Sequence, residues 1–227
     1  LTSGEARAVT VTYSGDMAEV ANATGSLAIA EGDLEASVRL AAVVGDADLG
    51  EASWVADAYG TRATVSLPSA PNADGSTAWT DDSVEISAVL GFTARAPFGV
   101  VTHLHGWNAT LSEVVAAQVL VEQTALAGRN AILVVPQGPV EASSGDFGQL
   151  MEAGGHARLV RDALAVMYRD GLLDWPAPDM QVLSSHSGGY QAAAAILDAG
   201  GIPIDAVHLL DSLYGDESTF GDFARAG

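Results

Sequence analysis

MQVLSSHSGGYQAAAAIL, residues 180–197, joins an apolar run to an alanine-rich segment with no room between them for an ordinary loop. The run MQVLS (180–184) reads as a buried strand and YQAAAAILDAGG (190–201) as a helix stopped by glycine. Three serines and a histidine fill positions 184–187, just ahead of Gly188 and Gly189. A backbone passing that fast from strand to helix must turn sharply, and Ser187 sits where it turns. Small residues two positions either side, Ser185 and Gly189, keep such a turn clear of the adjoining strand and helix.

Outward from this stretch, the second half of the chain alternates. FGVVTHL (98–104), AILVVP (131–136) and IDAVHLLD (204–211) are further strand-like runs. TLSEVVAAQVLVEQTALA (110–127) has the spacing of one amphipathic helix with Thr110 as N-cap, and HARLVRDALAVMYRDG (156–171) that of another, closed by Gly171. STFGDFARA (218–226) begins a last helix. Apolar strands alternating with helices mean an α/β fold, a mostly parallel sheet with helices on both faces. Right-handed crossovers set the strands' C-terminal ends on one edge, where ligands and chemistry gather. The turns there carry HLHGWN (103–108), PQG (136–138), Ser185–Gly189 and DSLYG (211–215).

The first half is shorter in period. AVTVTY (8–13), SLAIA (26–30), RATVSL (62–67) and SVEISAVLGF (83–92) read as strands, DLEASVRLAAVV (33–44) fits strand or helix, and residues 68–82 read as loop. The expected organisation is a β-rich N-terminal segment over 1–55 followed by an α/β domain over 56–227.

Composition narrows the function. The chain has 227 residues, 48 % hydrophobic, with 29 acidic against 9 basic residues and a net charge of −20. All the basic residues are Arg. Such a surface repels phosphate backbones and anionic lipid, so nucleic acid is not an expected partner. Cysteine is absent, which removes thiolate and disulfide chemistry. No apolar stretch reaches the ~20 residues of a membrane span. The histidines and carboxylates show no metal-ligand spacing, so no metal and no cofactor are expected. The start at Leu1 looks processed, which places secreted or periplasmic location ahead of cytoplasmic.

The S-x-S-x-G turn with strand before and helix after, together with His105-Gly106-Trp107 upstream, resembles the α/β-hydrolase superfamily of serine esterases and lipases over roughly residues 60–227. HLHGW, VVPQGP, LLDSLYG and GGHARLV look like stretches of bacterial hydrolases of undefined substrate. The resemblance implies a serine hydrolase cleaving a carboxylic ester, less readily an amide, of a small molecule or polymer. Ser187 would be the nucleophile and Asp211 the triad acid. The backbone N–H groups of Trp107 and Gly188 would form the oxyanion hole. His103, Gln137, His156 and Tyr190 would line the pocket. His105 and His186 are expected to be structural, and His208 to be a satisfied core residue. The superfamily's order is Ser, acid, His, and no His follows Asp211, so a truncated chain is expected, with its base further on. Two alternatives stay open: a non-catalytic binding or structural protein of the same fold, and a β-rich 1–55 module targeting a polymer or cell surface.

Overall fold

A computed structural model describes residues 49–94, 97–174 and 177–226, together with the backbone of two short strands nearer the N-terminus. Those strands, β1 (Gly25–Ser26) and β2 (Arg39–Leu40), pair antiparallel within a unit spanning residues 1–42. The expectation for residues 8–13, that for 33–44 apart from Arg39–Leu40, and most of the segment 1–55 lie outside the described residues. A second unit spans residues 43–227.

That unit is built on seven strands: β3 (Val55–Asp57), β4 (Gly60–Ser66), β5 (Ser83–Val89), β6 (Gly99–Leu104), β7 (Ala131–Pro136), β8 (Met180–His186) and β9 (Ala206–Leu210). Their order across the sheet is β3-β4-β5-β7-β6-β8-β9. The pairings through β3, β4, β5 and β7 are antiparallel, and β7-β6, β6-β8 and β8-β9 are parallel. Five strands therefore run one way, with β3 and β5 opposed. β3 and β4 are joined by a hairpin-length link and β4 and β5 by the loop 67–82, whereas each parallel pair needs a crossover long enough for a helix. The fold is thus the α/β one expected, a mostly parallel sheet with helices on both faces, and β8 is flanked on both sides by parallel strands.

Helices cover both faces. Leu111, Val114, Leu120, Leu133 and Val135 form the apolar layer between the sheet and helices α1 (Leu111–Ala117) and α2 (Leu120–Leu126). The larger core lies on the opposite face, beneath α3 (Gly155–Arg169), α4 (Tyr190–Ala199) and α5 (Glu217–Ala226). Residues 49–54, grouped by sequence with the N-terminal segment, are tied to α3. Arg169 donates to the carbonyls of Leu49 and Gly50, and the Trp54 indole to Asp170.

Two expectations are corrected. The single helix over 110–127 is two, broken at Gln118 and Val119, where Val119 takes a φ of +46°. Leu111 and Leu120 are nine residues, two and a half turns, apart, so an unbroken helix would point them to opposite sides. The break turns both toward the sheet, where each is buried. His208 is exposed rather than a core residue. Among the described residues β9 is the last strand of the sheet; Val207 and Leu209 meet the core, while His208 and Leu210 face out.

Candidate active site

The turn at the end of β8 has the predicted sharpness. β8 ends at His186, Ser187–Gly189 form a single 3-10 turn, and α4 starts at Tyr190. Ser187 has a φ of +50°, a left-handed conformation that L-residues other than Asn and Asp seldom adopt. Its side chain is half-buried, not enclosed. The neighbourhood explains the small residues. A Cβ on Gly106 would lie 2.9 Å from the Ser187 Cβ, and a Cβ on Gly189 would lie 2.5 Å from the Leu104 carbonyl oxygen. The HGW loop therefore presses directly on the turn. At Gly188 a Cβ would fall within the Trp107 indole, which is 46 % exposed.

The turn is held by the strand beside it. The Ser187 N–H donates to the Asp211 carbonyl at 3.1 Å. Ser212, 2 % exposed, donates from Oγ to the Ser187 carbonyl at 2.9 Å and shares a 2.8 Å hydrogen bond with Ser185 Oγ. Sequence reasoning missed Ser212; its signal was its place after Asp211 at the end of β9. Asp211 has a φ of +46° and an exposed side chain. The neighbouring Asp211 carboxylate holds the exposed Tyr214 phenol above its usual pKa. Tyr190, half-buried at the start of α4, lies with its ring centroid 6.3 Å from that of Tyr214.

The HGW loop has its own anchor. His105 Nε2 accepts from the Gly138 N–H at 2.9 Å and from the Gln137 amide at 3.0 Å. Its proton therefore sits on Nδ1, which donates to the Gly106 carbonyl at 2.7 Å. Burial keeps this imidazole neutral by lowering its pKa. Gln137 also accepts from the Leu111 N–H at 2.6 Å, so one amide joins the HGW loop to the start of α1. The Trp107 N–H has no backbone acceptor among the described residues.

Of the four residues expected to line a pocket, three are enclosed. His103, Gln137 and His156 are each 1 % exposed, and only Tyr190 reaches the surface. His103 Nδ1 pairs with Ser184 Oγ at 3.0 Å and His156 Nε2 with Thr102 Oγ1 at 2.9 Å. Desolvation brings both imidazoles down to a pKa of about 4. His186 Nδ1 meets the Gln118 amide at 3.2 Å. None of these histidines is hydrogen-bonded to Ser187 among the described residues. No group of three or more His, Cys, Asp or Glu there is arranged to hold a metal, and no described helix is long and apolar enough to cross a membrane.

No family model and no curated protein matches the chain. Solved structures do. The chain is similar to an S-formylglutathione hydrolase from Agrobacterium tumefaciens, at 14 % identity and TM-score 0.42, over 69 % of this chain and 60 % of that one. It is similar to a cold-adapted esterase from an Arctic intertidal metagenomic library, at 18 % identity and TM-score 0.43, over 77 % and 69 %. It is also similar to an epoxide hydrolase from Aspergillus niger, at 17 % identity and TM-score 0.33, over 66 % and 34 %. The chain thus spans less than two thirds of the first and the third.

Proposed function

We propose that the protein is a serine hydrolase acting on carboxylic esters through an acyl-enzyme on Ser187. The observation that carries this reading is the left-handed Ser187 at an abrupt strand-to-helix turn, pressed by the glycine of the HGW loop. A φ of that kind costs about 1–3 kcal/mol and persists where surrounding structure holds it. Here Asp211 and Ser212 hold it.

In this reading Ser187 Oγ attacks the ester carbonyl carbon and gives its proton to an imidazole. The carbonyl oxygen becomes an oxyanion that accepts hydrogen bonds from the N–H groups of Gly188 and Trp107, together contributing several kcal/mol to transition-state stabilisation. The tetrahedral intermediate collapses, the C–O bond breaks, and the alkoxide leaves with the proton from the imidazole. Water then attacks the acyl-enzyme in the same way. Asp211 orients that imidazole. His103, Gln137 and His156 act in this scheme beneath the site, as positioning residues, and Tyr190 at its surface. No step calls for a metal or cofactor.

The imidazole is the piece the described residues do not bring to Ser187. Of their histidines, four are hydrogen-bonded elsewhere and the fifth is exposed on β9. This same observation favours a second reading, a non-catalytic binding protein that keeps the turn without the base. A fluorophosphonate probe separates them. The hydrolase reading expects one adduct, mapped to Ser187 by peptide mass and lost in Ser187→Ala. Absence of an adduct in the full-length protein overturns it.

A further inference from the structure

We propose that the cleft between α1 and the outer strands β4 and β5 binds a neutral saccharide, at a site separate from Ser187. The cleft is open to solvent and has a volume of about 860 Å³, inside the ~300–1,000 Å³ range of small-molecule sites. Its floor is formed by Arg62, Thr64, Ser83 and Glu85, and one wall by Thr110, Ser112 and Val115 of α1 and its cap.

The floor is polar and ordered. Glu85 is 7 % exposed, a carboxylate set almost wholly inside the protein. Thr64 donates to its Oε2 at 2.8 Å, and an Arg62 nitrogen lies 4.0 Å from its Oε1. The Arg62 guanidinium is steadied from the other side by Asp57, 3.3 Å away. Burying a carboxylate without partners is costly, and these contacts hold the Glu85 side chain in place.

Charge then selects the ligand. Arg62, Asp81 and Glu85 line the cleft, two negative charges against one positive, in a chain of net charge −20. An anion is repelled there. A cation gains little, because the Glu85 carboxylate is already met by Arg62 and Thr64. What remains is a neutral molecule with many donors and acceptors. Hydroxyls such as those of Ser83 and Ser112 both donate and accept, and a guanidinium fork can donate to adjacent oxygens of one ligand. Val55, Leu111 and Val115 supply an apolar strip beside them. Alternating hydroxyl and C–H surfaces of that kind belong to a saccharide.

The test is a titration of the ¹⁵N-labelled full chain with cellobiose, maltose and lactose, with glucuronate as the anionic control, up to about 10 mM. Saturable shifts are expected for at least one disaccharide, at amides of β4, β5 and α1. Ser112→Leu, which fills the cleft from an exposed helical position, and Arg62→Ala should each weaken binding at least about tenfold. Ser187→Ala should leave it unchanged. The proposal is overturned if no disaccharide gives saturable shifts, if glucuronate binds more tightly than all three, or if folded Ser112→Leu binds like the parent protein.

Discussion

At residue scale, strain and contact make opposite demands on neighbouring positions of one turn. Ser187 holds a left-handed φ that glycine adopts freely. Ser187→Gly is therefore expected to melt no lower than the parent protein, although it removes the hydroxyl. Ser187→Val, β-branched in the same conformation, should lower stability by roughly 1–2 kcal/mol in a denaturant titration. Gly189 and Gly188 differ in what a methyl group would meet. At 189 it would strike the carbonyl oxygens of Leu104 and His105, which belong to the sheet and its turn and cannot step aside. Gly189→Ala should cost about 1–3 kcal/mol. At 188 the obstacle is the exposed Trp107 indole, which can swing outward. Gly188→Ala should leave the melting temperature nearly unchanged, shift tryptophan emission, and slow fluorophosphonate labelling.

At element scale, the break between α1 and α2 shows how packing overrides periodicity. Thr110 caps α1 with a complete capping box, its hydroxyl taking the Glu113 N–H while Glu113 reaches back to the Thr110 N–H. The residues 110–127 carry no helix-breaking Gly or Pro before Gly128, so their pattern reads as continuous. Burial decides otherwise, and Val119, 44 % exposed, absorbs the kink in a conformation unfavourable to a β-branched residue. Val119→Gly should accordingly raise stability by about 1 kcal/mol, seen as a higher urea midpoint at unchanged slope. No gain would mean that Val119 contributes packing its exposure conceals.

At the scale of the whole molecule, the buried imidazoles set the response to acid. His103 and His156 titrate near pH 4 when folded and near 6.5 when unfolded, because burial disfavours their charged forms. Between those values the unfolded chain binds more protons, so stability is full above about pH 6.5 and falls as pH drops toward 4. Each group contributes up to about 3 kcal/mol to that loss. His105, also lowered by burial, acts in the same direction. Unfolding free energies measured from pH 7.5 to 4 should show this slope, and His156→Gln, which cannot take up the proton, should flatten it by about one proton. A slope unchanged in that variant would mean that His156 binds protons equally in the folded and unfolded states.

The order of strands and helices after residue 98 was legible in the amino-acid sequence, because buried parallel strands are uninterrupted apolar runs and their helices carry a 3.6-residue stripe. So was the sharp turn at Ser187, since small residues at 185 and 189 leave one local solution there. The break at Val119, the exposure of His208 and the role of Ser212 were not legible. Each depends on which strand lies next to which, and on whether that neighbour is the last in the sheet. The enclosure of His103, Gln137 and His156 is of the same kind: their strand and helix positions point to the active edge, but the layers packed over them decide whether a side chain reaches it. Local chain geometry is written in nearest neighbours along the sequence, whereas burial and partnership arise from segments far apart in it.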